Sequence, residues 1–289
     1  KSESYAIVPD YYNGILPKVV AKVGEKVKAG SVLMIDKNRP EIKFVSPVSG
    51  EVTAVNRGEK RKVLSIVVKP DAQIEYEEFG KKNVASLQGA EVKEVLLNAG
   101  MWPFIKQRPY DIVAAPLDTP RDIFVSAFYS APLAPNFDFI VKGQEADFQT
   151  GLNALAKLTN GKVYVGVRSG SVVSGMKGVE IVEVEGPHPA ANVGVQINHI
   201  KPVNKGEVVW TVNPADVIVI GRLFNKGVAD FSRMVAITGS ETTERGYVKT
   251  ISGCTIKSLV NGKVLGQEHI RIISGNVLTG TKVNMDGYL

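Results

Sequence analysis

"VAKVGEKVKAGSVLMIDKNRPEIKFVSPVSGEV", residues 20–52, decides how the first part of the chain folds. Its apolar runs are cut by Gly24-Glu25-x-Val27-x-x-Gly30 and then by Ser46-Pro47-x-x-Gly50. Short β-branched stretches between Gly and Pro breaks read as strands joined by tight turns. The same texture runs outward from "YAIVPD" at 5–10 to "KVLSIVVK" at 62–69, so residues 5–69 form a compact all-β unit. The dense basic run "NRGEKRK" at 56–62 sits between two Val-rich segments and reads as a solvated hairpin tip.

The unit resembles the small sandwich that carries biotin or lipoyl groups on a hairpin lysine, with Lys37 of "IDKNRP" at the carrier position. Lipoyl carriers place Asp-Lys-Ala there and biotin carriers Met-Lys-Met. Here Arg39 and Pro40 follow Asp36-Lys37, and Lys37 stands nine residues before Ser46, a longer spacing than the lipoyl pattern. Lys37 is therefore expected to be an exposed hairpin charge that stays unmodified.

Composition bounds the rest. A 289-residue chain is long enough for two domains or three small ones, and 44% hydrophobic with 22% charged residues reads as ordinary globular protein. No apolar run approaches the roughly 18 residues a membrane span needs. No signal peptide opens the sequence, which starts without an initiator Met and is expected to be cut at both ends. The single cysteine, Cys254, excludes an internal disulfide or a thiolate cluster built from these residues alone. His188, His199 and His269 show no metal spacing, and neither a P-loop nor Gly-x-Gly-x-x-Gly is present. Thirty-five Lys and Arg against 29 Asp and Glu give a net charge of +6, but the charges are scattered, and no nucleic-acid partner is expected.

Beyond an acidic boundary, "DAQIEYEEFGKKN" at 71–83, the periodicity changes. A helix is predicted in "LQGAEVKEVLLNAG", then a Pro-rich connector at 103–120, a strand in "DIFVSAF" and a helix in "GQEADFQTGLNALAKLT". Strands follow in "KVYVGV" and "VEIVEV", then a helix in "PADVIVIGRLF". Short apolar strands alternating with amphipathic helices argue for an α/β layer. After about residue 233, "MVAITGS", "GYVKTISGCTIKSLV" and "EHIRIISGNVLTG" return to strands with one short helix. The expected fold is α+β and multidomain: a barrel-sandwich at 1–80, a Rossmann-like α/β domain at 81–232 and a β-grasp or SLBB-like domain at 233–289.

The order of "SPVSG", "NRG-x-KR", "GQE-x-DF", "GPHPA" and "VWTVN" resembles the NqrA component of the sodium-translocating NADH:quinone reductase along essentially the whole chain. Related families are the RnfC component of the Rnf electron-transport complex and the flavin-binding component of respiratory complex I. In those relatives a Gly-rich loop cradles FMN and NADH; here the matching stretch is "NAGMWPFIKQRPY", which keeps only Gly100. Met101, Trp102 and Phe104 would fill the flavin phosphate's space, since backbone amides approach a phosphate closely only where side chains are missing. The resemblance thus implies a scaffold without bound cofactor, not catalytic by itself. It also implies a peripheral subunit on the cytoplasmic side of the bacterial inner membrane, in a six-subunit complex that oxidises NADH, reduces ubiquinone or menaquinone and exports sodium. Quinone interaction and assembly are the role implied for NqrA, and NADH oxidation is assigned elsewhere. The alternatives are an Rnf-type electron-transport component and a swinging-arm carrier. Family sequence is expected before Lys1 and beyond Leu289.

Two surfaces are candidates for quinone or a partner subunit. "EGPHPAANVG", 185–194, is read as a stiff loop between two β segments, with His188 flanked by Pro187 and Pro189. A neutral His188 imidazole there would donate to a quinone carbonyl, or else hold the loop through neighbouring carbonyls. Trp102 and Arg108 form the second, an aromatic face beside a cation, with core packing as the competing role for Trp102 and Phe104.

Overall fold

The computed structural model describes residues 2–266 and 270–289, so the His269 of the histidine reading lies outside the described residues. Seven strands build the first unit: β1 (Tyr5–Ile7), β2 (Pro17–Val19), β3 (Lys26–Val27), β4 (Val32–Asp36), β5 (Lys43–Val45), β6 (Gly50–Arg57) and β7 (Val63–Pro70). They form two facing sheets, ordered β1-β7-β6-β3 and β2-β4-β5, over a core of Leu33, Met34, Ile42, Phe44, Val52 and Ile66. The glycine of Ser-Pro-x-x-Gly is required sterically. A Cβ on Gly50 would lie 1.9 Å from the Lys69 carbonyl oxygen, so only glycine lets β6 cross β7 there.

A second unit follows with α1 (Gly89–Asn98), β8 (Ile105–Arg108), β9 (Ile112–Val113), β10 (Ile123–Ser126), α2 (Phe137–Val141), α3 (Glu145–Ala156) and β11 (Val163–Val167). It continues with β12 (Glu180–Glu183), α4 (Val193–Ile200), β13 (Val209–Val212) and α5 (Pro214–Lys226). The capping box of α1 is visible in sequence, the Gln88 amide donating to Glu91 Oε2 at 2.7 Å. The sheet order is β12-β11-β10-β13-β8-β9; β10 to β13 run parallel, and β8 and β9 add an antiparallel edge. Along β10 successive side chains face opposite layers. Ile123 and Val125 join the main core with Phe148 and Leu155 of α3, whereas Phe124 packs on Ile197 of α4.

Two sequence expectations fail in this unit. The Pro-rich connector at 103–120 contains β8 and β9, whose alternating Ile105-Lys106-Gln107-Arg108 hides a half-buried strand beside the turn at Pro109. The 185–194 segment does not join two β segments; it leads from β12 into α4, whose "VGVQINHI" is rich in the β-branched residues that favour strands. Burial of Ile197 overrides that preference.

The third unit pairs β14 (Ser232–Ile237) with β15 (Gly246–Ile251), then α6 (Ile256–Val260), β16 (Ile272–Ser274) and β17 (Thr281–Val283). It is tied to the start of the chain by Ala6 N–H donating to the Gly253 carbonyl at 2.8 Å. Arg222 of α5, 4% exposed, donates to the Asp230 and Ser232 carbonyls and to Gln144 Oε1, locking the second unit to the third. Among the described residues no helix is long and apolar enough to cross a membrane.

Candidate functional site

The chain leaves β10 toward β11 and β12 on one side and returns on the other side as β13. Where the order reverses, the connections diverge and leave a crevice at the carboxyl ends of the strands, the general place for a ligand in an open α/β sheet. An open cleft of ≈ 700 Å³ lies there, lined by residues of β8, β10 and β13 and by the starts of α4 and α5.

Lys106 and Arg108, two apart on β8, both reach this cleft. The Lys106 ammonium sits 5.3 Å from the centre of the Tyr12 ring and has no hydrogen bond or ion pair among the described residues. Burial lowers its pKa, opposed by the carboxylates of Asp216 and Asp111. Arg108 Nε is 3.3 Å from Asp111 Oδ1, and a Cβ on Gly194 would lie 3.6 Å from Arg108 Nη1, so the guanidinium reaches the first turn of α4. Asp216, in the first turn of α5, accepts from Arg233 Nη2 at 2.8 Å. Phe104, Phe128 and Tyr129 supply aromatic wall. The Tyr129 hydroxyl donates to Asn213 Oδ1 at 3.3 Å, and burial pushes its pKa up to about 12. Asn213 also caps α5, its Oδ1 accepting from the Ala215 amide at 3.0 Å.

The loop before α4 is fastened to the sheet. Gln196 Nε2 donates to Ser126 Oγ at 2.9 Å and to the Ala190 carbonyl at 3.1 Å, and Ser126 Oγ donates to the Ala191 carbonyl at 2.7 Å. His188, half-buried, places Nδ1 3.0 Å from Ser130 Oγ, which itself accepts the Ala191 amide at 3.1 Å. Pro187 and Pro189 flank it on the exposed surface, and the peptide bond before Pro189 is cis. His188 therefore stands on the loop that ends at the cleft rim, without lining the cleft itself.

Trp102 is elsewhere. It is fully buried, stands edge-on to Trp210 with ring centroids 5.3 Å apart, and its Nε1–H donates to the Ala114 carbonyl at 2.8 Å. The aromatic face expected beside Arg108 does not exist, because the indole is needed by the core. Met101 is equally buried, whereas Phe104 is half-buried at the cleft edge.

Lys37 is exposed at the turn between β4 and β5. That turn is held by Arg39, whose Nε donates to buried Asp36 at 2.8 Å while Nη1 and Nη2 reach the carbonyls of Val113 and Gly14. Asp36 Oδ1 in turn accepts the amides of Leu16 and Asn38. The Arg39 that spoils the carrier pattern thus clamps the sandwich to β9. Among the described residues no group of three or more His, Cys, Asp or Glu side chains is placed to hold a metal.

Family profiles cover each part of the chain in order: an NqrA N-terminal barrel-sandwich hybrid domain over residues 1–71, the NqrA second alpha/beta domain over 87–229 and the NQRA C-terminal domain over 234–285. The chain belongs to the NqrA family. Among curated members, all named for the Na(+)-translocating NADH-quinone reductase, it is 37% identical over 281 residues to the protein of Photorhabdus laumondii, covering 96% of this chain and 63% of that one. To the protein of the same name from Hahella chejuensis it is 38% identical over 280 residues, 95% of this chain and 62% of that one. The chain thus spans less than two thirds of the NqrA relatives it matches. A crystal structure of an NAD+-reducing [NiFe]-hydrogenase superimposes with a TM-score of 0.44 and 11% identity over 75% of this chain and 50% of that one, a likeness too low for any functional argument. Sequence spacing points to Arg108 and the loop after β12, but not to Lys106, Phe128, Tyr129 or Asp216 as members of one cleft. "VWTVNPAD" holds a usable signal, since Asn-Pro after a buried strand marks a helix start at a sheet's carboxyl edge.

Proposed function

We propose that this chain is the larger part of the NqrA component of a sodium-translocating NADH:quinone reductase, serving quinone interaction and assembly rather than NADH oxidation. The observation that carries this reading is the uninterrupted match to curated NqrA sequences over 96% of the chain. The reading places the chain as a peripheral component on the cytoplasmic side of the membrane, against the other subunits of a six-subunit complex, with ubiquinone or menaquinone as the complex's substrate. It takes the α/β unit as Rossmann-like, which the β12-β11-β10-β13 parallel order supports, and the last unit as β-grasp or SLBB-like. The test is a chimera in which this sequence replaces the matching region of a relative's NqrA, in a strain lacking its own. Restored NADH-driven quinone reduction in membranes supports the reading; a stable chimera that never joins the complex overturns it.

Met101 and Trp102 occupy the core at the position of the lost Gly-rich loop, so calorimetry of the purified chain with FMN or NADH should show no binding as tight as about 1 μM, equivalent to about −8 kcal/mol. Saturable binding at that level contradicts this. Because Arg39 clamps the lysine-bearing turn, protein made in a lipoylating and biotinylating host should have the intact mass of its unmodified sequence. An added prosthetic group on Lys37 contradicts that.

A further inference from the structure

The turn joining β6 to β7 holds Arg57, Lys60, Arg61 and Lys62 against one acid, Glu59. All four cations are exposed. Only Lys62 has a carboxylate partner, with Nζ 2.6 Å from Asp10 Oδ2. Arg57 Nη1 donates to the Arg61 carbonyl at 3.0 Å, and Lys60 and Arg61 make no ion pair among the described residues. The tip is nonetheless ordered, for the Gly58 amide donates to the Lys62 carbonyl at 2.9 Å and the Lys62 amide to the Glu59 carbonyl at 3.0 Å. Lys60 and Arg61 both sit in the left-handed region, at φ 52° and 62°, which costs non-glycine residues free energy. Two consecutive cations held there, where glycine would be easier, need a reason outside the hairpin's own stability.

Folding adds what the linear sequence lacks. The Lys62–Asp10 bridge draws Tyr11, 41% exposed, beside the tip, and Leu64 is 42% exposed at its base. A projecting set of cations on long aliphatic stems, flanked by a tyrosine and a leucine, matches a flat surface of phosphates over an apolar boundary. A nucleic-acid strand would require several stacking rings and a groove to follow. We propose that the β6–β7 tip rests on an anionic phospholipid surface, with Arg57, Lys60 and Arg61 at the headgroup phosphates and Tyr11 and Leu64 at the apolar boundary.

The test is co-sedimentation of the purified chain with phosphatidylcholine vesicles, with and without phosphatidylglycerol, at low and high salt. Binding is expected only to the anionic vesicles and should weaken as salt screens the charges. Lys60→Gly with Arg61→Gly removes two cations at positions whose φ glycine prefers, so thermal stability should hold or rise. The same double variant should bind about 25-fold more weakly, at about fivefold per cation. Lys60→Arg with Arg61→Lys keeps the charges and should bind as wild type does. Equal binding to neutral and anionic vesicles, no binding to either, or wild-type binding by the glycine double variant would each overturn the proposal.

Discussion

Gly221→Val should leave little folded protein, and Gly221→Ala should already lower stability by about 3 kcal/mol or more. Helices α3 and α5 cross in backbone contact. A Cβ on Gly221 would lie 1.6 Å from the Asp147 carbonyl oxygen and 2.7 Å from the Gly151 amide nitrogen. The reciprocal position is as tight, a Cβ on Gly151 lying 2.1 Å from the Val217 carbonyl oxygen. The obstacles are main-chain atoms within helices, which have no rotamer to change. Separating the helices would open the core around Phe148, Leu152 and Ile218 and disturb the start of α5 at the cleft. Against a total of about 5–15 kcal/mol for a typical domain, that loss is decisive. Urea unfolding of Gly221→Ala measures it. An unchanged midpoint would show that the two helices do not meet as described.

Trp102→Ala should cost about 3–5 kcal/mol, in the range for emptying a large aromatic site in a rigid core. The fully buried indole packs edge-on against Trp210 and satisfies the Ala114 carbonyl, so truncation leaves both a cavity and an unpaired acceptor. Trp102→Phe should recover most of the packing but not the hydrogen bond, remaining about 1–2 kcal/mol below wild type. The pair separates core from surface. A Trp102 that served only a quinone or partner face would give an alanine variant of wild-type stability with altered binding.

The strand-rich first unit was legible because its breaks are chemical: Gly24, Gly30, Pro47 and Gly50 punctuate short β-branched runs. The long helices α3 and α5 were legible for the same kind of reason, each carrying a sustained apolar period, and Asn213-Pro214 marks the start of α5. The edge hairpin β8–β9 was not. Its outward residues, Lys106 and Arg108, are polar because they line a cleft, which erases the apolar signal of a strand. Helix α4 was hidden by its valines and isoleucines, which favour a strand until tertiary packing decides otherwise. The cleft itself draws on β8, β10, β13 and the starts of two helices, separated by more than a hundred residues from Phe104 to Asp216. Spacing along the sequence cannot express such a meeting; the order reversal between β10 and β13 can.

The central claim is that this chain works on the quinone side of the reaction. The most direct test places Arg108→Ala and His188→Ala, separately, in the assembled chimeric complex, and measures NADH oxidation with a soluble acceptor apart from quinone reduction. Arg108 points into the cleft and His188 fastens the loop that reaches its rim, so both variants should keep NADH oxidation while quinone reduction falls at least tenfold, about 1.4 kcal/mol or more in transition-state terms. Recovery of the complex at wild-type yield shows that assembly is intact. Quinone reduction and assembly that both stay at the wild-type level, or a loss of NADH oxidation equal to the loss of quinone reduction, would contradict the account.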